Sequence, residues 1–213
     1  MQLCSFRDLS VTLLMMLSSL CSLPSQAIDA TSHLPSRISQ VKADGRPLQL
    51  LGVPLTSGDS VADFKAANSQ FELVQGAQYQ GRYLMLLTVP SLDTELGQQL
   101  LTDFVTQTSH LPTQVVRLVI TTDLPFVQTR IASSFELGQV QLLSDAIWGD
   151  VGIRFGVRIK DMGLLTTALF LLGPDGTLLH QDLPINVAGS PDYAAAIQQM
   201  PLVAEPKSSK AAN

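Results

Sequence analysis

Short apolar runs recur along the chain between polar, turn-rich stretches. Residues 83–89 (YLMLLTV), 115–120 (VVRLVI) and 168–172 (ALFLL) are the clearest. Runs this short, bounded by turn signals, predict strands buried on both faces. Pro90 closes the first. Between the first two, Leu96, Leu100, Leu101, Phe104 and Val105 fall on one face at helical spacing and predict a helix over Asp93–Ser109. Asp93 and Thr94 are both competent to cap it. Shorter patterns predict a helix over Pro125–Ala132, a strand over Val140–Leu143, a helix over Ala146–Phe155 and a last helix over Pro191–Met200. Pro174-Asp175-Gly176 is a turn from which the chain returns through Thr177 to His180.

The amino-terminal half is weaker in pattern. Asp44 to Val53 reads as a turn followed by an alternating segment, consistent with a small hairpin. An extended stretch from Asp63-Phe64 to Val74 is broken at Gln75-Gly76. Residues 28–40 are polar and irregular and read as a loose arm; residues 202–213 have the composition of a flexible tail. One domain, 41–201, lies between them. Strands alternating with helices, then a hairpin and a final helix, predict an α/β sheet with helices on both faces.

Residues 11–23 (VTLLMMLSSLCSL) form an apolar run too short to span a membrane and suited to a secretory leader. Ser25 and Ala27 supply small residues for cleavage after Ala27, so residues 1–27 are expected to be a signal peptide. Lipid attachment at Cys21 is disfavoured by the bulky Leu20 before it. The two cysteines, Cys4 and Cys21, both lie in this leader. The remaining 186 residues have no thiol, which is compatible with an oxidising compartment. Net charge is −5, and no basic stripe, P-loop or glycine-rich dinucleotide motif occurs, so a nucleic-acid partner is not expected. Of the three histidines, His33, His110 and His180, none belongs to a cluster at metal-ligand spacing, so no metal site is expected. Nothing implies a cofactor.

Four stretches in order resemble the thiol peroxidase branch of the peroxiredoxins, over about Val41 to Met200. They are residues 44–64 (DGRPLQLLGVPLTSGDSVADF), 89–97 (VPSLDTELG), 121–132 (TTDLPFVQTRIA) and 190–197 (SPDYAAAI). The resemblance implies a thioredoxin-like, peroxiredoxin-type central sheet with flanking helices and an N-terminal hairpin. It also implies a thioredoxin-dependent peroxidase reducing hydroperoxides, commonly a homodimer. In that family the active loop reads Pro-x-x-x-Thr-x-x-Cys. Here Pro90 and Thr94 match, and the cysteine position is Gly97. The resolving-cysteine position falls on Ala132 and the catalytic arginine position on Thr167. No arginine follows Arg158.

These departures remove the reactive groups. The thiolate is the atom that attacks peroxide, and a helix N-terminus with a nearby guanidinium normally lowers its pKa. Glycine has no side chain to attack with. Two readings of Gly97 stand: a close backbone approach that only glycine permits, and drift after activity was lost. The expected protein is a secreted, periplasmic relative without peroxidase activity, kept as a binding protein for an unknown protein or for a small ligand around Pro90, Thr94, Gly97 and Thr167. Membrane contact is not expected once the leader is removed.

Arg130 matches an arginine common in the family and is expected either to pair with a carboxylate near Asp93 or to line the old pocket. Asp93 and Glu95 read as charges complementing the helix dipole. Ser91 has no adjacent histidine and reads as a loop residue. His110 reads as a cation at a helix C-terminus, and Phe126 and Trp148 as core or dimer-contact residues.

Overall fold

The structure, a computed structural model, describes residues 34–61 and 63–201. The expected leader, its cleavage site, His33 and the tail at 202–213 lie outside the described residues. Two sheets form. The smaller contains β1 (Ser36–Ala43), β2 (Arg46–Leu51) and β8 (Arg158–Ile159), in the order β1-β2-β8. The larger has seven strands in the order β10-β9-β5-β6-β7-β3-β4. Its members are β3 (Lys65–Ala67), β4 (Leu73–Gln75), β5 (Leu84–Thr88), β6 (Val116–Thr121), β7 (Val140–Ser144), β9 (Ala168–Leu172) and β10 (Leu178–Asp182).

The three central strands β5, β6 and β7 are parallel, and the outer ones pair antiparallel. Parallel neighbours require crossovers, and helices supply them. Helix α1 (Glu95–Thr108) joins β5 to β6, and α2 (Pro125–Ala132) joins β6 to β7. Helices α3 (Asp150–Arg154) and α4 (Tyr193–Gln198) follow later.

The apolar runs are strands because both sheet faces are covered. Leu84 and Leu86 of β5 pack in one core with Leu118, Phe155 and Phe170. The alternate residues Met85 and Leu87 pack in the other, with Leu100, Leu101 and Phe104 of α1 and Tyr193 of α4. Period-two alternation between two cores leaves no polar position to interrupt the run. Arg117 is the charged exception in β6. It is buried, and its Nη1 donates to the Thr108 carbonyl at the end of α1, 2.8 Å away. It shares with the Leu111 amide a carbonyl to which the helix itself offers no donor.

Several expectations need correction. Residues 36–40 are not a loose arm. They open β1, whose inward side chains Arg37 and Ser39 are polar and hide the alternation from a hydrophobicity reading. The turn joining β1 to β2 is at Asp44-Gly45, with φ of 49° and 76°, the left-handed pair that a two-residue hairpin needs. The stretch from Asp63 to Val74 is a hairpin of β3 and β4, reversed at 68–72, where Asn68 Oδ1 accepts the amides of Gln70 and Glu72. The helix expected over 146–155 shrinks to Asp150–Arg154, because Gly149 takes a left-handed φ of 60° and starts it late. Strand β8 is too short to carry a pattern. Phe126 and Trp148 are not core residues: they are 59% and 41% exposed.

Candidate functional site

Topology brings the expected site residues to one end of the large sheet. Strands β5 and β6 are parallel, so the loops after them, 89–94 and 122–124, leave side by side. Strand β9 runs antiparallel to β5, with Ala168 opposite Thr88. Thr167, one residue before β9, therefore lies at the same end as Pro90.

The 89–94 loop is pinned throughout. The Val89 amide donates to the Ile120 carbonyl at 3.0 Å. Asp123, which the sequence reading passed over, holds the rest. Its Oδ1 accepts the Ser91 hydroxyl at 2.7 Å, and its Oδ2 accepts the Leu92 amide at 2.6 Å and the Thr121 hydroxyl at 3.0 Å. Its own amide donates to Thr121 Oγ1 at 3.0 Å. The Ser144 hydroxyl donates to its carbonyl at 2.6 Å. The Asp123 carboxylate thus ties the end of β6 to the loop after β5, and its main-chain carbonyl adds the end of β7. The only sequence signal was an aspartate two residues after a threonine and just before Leu-Pro, a common turn pattern.

Thr94 is the N-cap of α1. Its Oγ1 accepts the Gly97 amide at 3.0 Å and donates to the Ser91 carbonyl at 3.0 Å. The hydroxyl proton that would orient a peroxide is therefore committed to the backbone. Gly97 is buried at the third helical position. A Cβ built there would overlap the Ser91 carbonyl oxygen, and would stand 2.8 Å from the Ser91 carbonyl carbon and 3.1 Å from Leu92 Cα. Between the two readings of Gly97, the geometry is that of a close backbone approach. The loop runs through the space where a side chain at this position would project.

The other positions are further apart in role. Thr167 is fully buried, and its hydroxyl donates to the Val187 carbonyl at 2.7 Å. Ala132 ends α2, half-buried. Arg130 donates from Nη2 to Asp93 Oδ1 at 2.6 Å, with side chains 62% and 57% exposed. Of its two expected placements, the carboxylate pair is the one observed. His110 lies in the turn just beyond α1. His180 falls within β10, with Nε2 buried and unpartnered among the described residues.

Another carboxylate, Asp145, sits fully buried beyond β7. Its Oδ1 and Oδ2 accept the Val151 and Gly152 amides at 2.9 and 2.8 Å, at the start of α3. Burial pushes its pKa up to about 6, against those two hydrogen bonds and the Arg158 charge, which pull it down.

Residues 57–181 match the model of the AhpC/TSA family. The chain belongs to that family. Among curated relatives of this AhpC/TSA protein, a thiol peroxidase from Oceanobacillus iheyensis is 29% identical over 163 residues, covering 76% of this chain and 99% of that one. A thiol peroxidase from Staphylococcus aureus is 29% identical over 160 residues, covering 75% and 96%. Among solved structures, a peroxiredoxin-like protein from Aquifex aeolicus superposes with a TM-score of 0.69 at 26% identity, over 76% of this chain and 96% of that one. Thiol peroxidase from Chromobacterium violaceum gives 0.68 at 21% identity, over 74% and 93%, a likeness of fold. The α/β, thioredoxin-like fold and the thiol peroxidase relationship stand. The AhpC/TSA protein has no cysteine between residues 34 and 201.

Proposed function

We propose that this AhpC/TSA protein does not reduce peroxides and acts by binding. The observation that carries the reading is the Ser91 carbonyl filling the side-chain space of Gly97. A thiol peroxidase needs a thiolate there to attack the peroxide oxygen. Here the backbone takes its place, and the Thr94 hydroxyl is spent on capping. The small-ligand version of the binding role finds no free hydroxyl at Thr94 or Thr167, so a protein partner fits better. Secretion to a periplasm and homodimer formation belong to the same proposal.

The test is peroxide consumption by the purified chain, with hydrogen peroxide and an organic hydroperoxide, thioredoxin or dithiothreitol as reductant, and a cysteine-containing relative as positive control. The expected result is no turnover above the protein-free blank. Clear turnover would mean chemistry without a thiol at position 97 and would overturn the reading. An intact mass of the secreted protein beginning at Ile28, and a dimer mass in solution, test the other two parts.

A further inference from the structure

Among the described residues, one side of the β1 strand is largely unfilled. One edge pairs with β2. Among the described residues, the other makes a single backbone bridge, at Lys42, whose amide donates to the Ile185 carbonyl at 2.6 Å and whose carbonyl accepts the Val187 amide at 2.9 Å. No further backbone hydrogen bond joins the two segments among the described residues. Residues 37–41 line one wall of a cleft of about 490 Å³, and Gln181 and Leu183, at and just past the end of β10, are also among its lining residues. Five consecutive residues of β1 line it, from both faces of the strand. The pairing of β1 with β2 shifts register between Ile38 and Lys42, so the strand is irregular where it borders the cleft. Strand β10 is itself the terminal strand of the large sheet. The start of β10 is covered by residues 58–60, through Gly58 N–H to the Leu178 carbonyl and Leu178 N–H to the Asp59 carbonyl, so the open edge at the cleft is that of β1, and such an edge is a template for another chain.

The chemistry of the walls selects the occupant. Ile38 is 79% exposed beside the cleft, and Leu55 and Leu183 contribute partly buried apolar surface to it. Arg37 lines the same cleft. Its guanidinium donates to the Gly156 carbonyl at 3.1 Å and more loosely to the Gly52 carbonyl at 3.5 Å. It has no carboxylate partner among the described residues. A half-buried cation held only by neutral carbonyls is matched by an anion.

We propose that this cleft binds an extended peptide segment of a partner protein, added as a strand along residues 37–41, with alternate apolar side chains and a carboxylate that meets Arg37. Main-chain hydrogen bonds would supply affinity, and Ile38, Leu55 and Arg37 the selectivity. The proposal gives the binding role above a place and a ligand class and rests on that role. The peroxide assay and the peptide titration fail independently, so the two readings can be told apart.

The experiment is a titration of the full ¹⁵N-labelled chain with the peptide acetyl-Val-Thr-Val-Thr-Glu-amide, followed by amide shifts and hydrogen exchange. Expected are shifts and slowed exchange at residues 37–41 and 181–183. Replacing the peptide Glu by Gln, or Arg37→Gln in the protein, should weaken binding about tenfold, as loss of a charge-assisted bond does. N-methylation of the peptide backbone should abolish it. The peptide-side replacement keeps the test valid if Arg37→Gln disturbs folding. Absence of shifts at residues 37–41 at millimolar peptide would overturn the proposal. So would equal binding of the N-methylated peptide, which would mean apolar adhesion without strand addition, or equal binding of the Gln peptide.

Discussion

The Ser91 carbonyl oxygen occupies the space into which a side chain at Gly97 would project. The obstruction is backbone, held by the Asp123 carboxylate through the Ser91 hydroxyl and the Leu92 amide, so it does not swing away as a flexible side chain would. Gly97→Cys should therefore destabilise the protein. Overpacking costs about 1–3 kcal/mol, against a gain of up to about 1 kcal/mol from replacing glycine within a helix. The expected result is a lower urea midpoint and no peroxide turnover. A stable, active Gly97→Cys variant would show that the loop moves freely.

Asp123 makes the loop rigid, and its removal should be costly. Asp123→Ala leaves the Leu92 amide and the Ser91 and Thr121 hydroxyls without their acceptor. Bonds to a charged group are each worth about 1.5–3 kcal/mol, and they are not additive, so a loss of about 2–4 kcal/mol is expected. Ser91→Ala removes one of them and should cost about 1 kcal/mol. Hydrogen exchange at the Leu92 amide should accelerate in Asp123→Ala and stay slow in Ser91→Ala.

Two contacts at the start of α1 should separate cleanly in size. Thr94→Ala deletes the N-cap and should cost about 1 kcal/mol. Arg130→Ala deletes an exposed ion pair to Asp93, screened by water, and should cost well under 1 kcal/mol. A double-mutant cycle on Arg130 and Asp93 that returned a coupling above about 1 kcal/mol would contradict this.

Asp145 should make stability depend on pH in the direction opposite to an ordinary ion-paired aspartate. Its folded pKa of about 6 lies above the ordinary value of 3.8, because burial penalises the charged form. The folded state then binds the proton more tightly than the unfolded state. This group's contribution is largest below about pH 4 and is lost as pH rises through about 6, by an amount on the order of 3 kcal/mol. Asp145→Asn should flatten the urea midpoint between pH 4 and 6 relative to the parent protein. An unchanged slope would place the titration elsewhere.

The peripheral strands were harder to read than the central ones for a physical reason. β5 and β9 are covered on both faces, so every position but Thr88 is apolar and the pattern is loud. β1 is an edge strand whose first inward positions are Arg37 and Ser39, the former satisfied by the Gly156 carbonyl far along the chain and the latter by the Leu48 carbonyl across the hairpin, so its start reads as polar and irregular. β8 exists only as a two-residue partner to β2.

The sequence by itself determined the alternation of central strands and helices, the short helix at Pro125–Ala132, a cap at Asp93 or Thr94, the absence of a thiol from residues 34–201, and the family. These follow from local periodicity, residue type and residue order. Tertiary structure decided what Gly97 is for, what Asp123 holds, and that Arg130 pairs with Asp93. Each of these joins segments far apart in the chain, and no local pattern encodes the direction of a distant carbonyl or which carboxylate a guanidinium will meet.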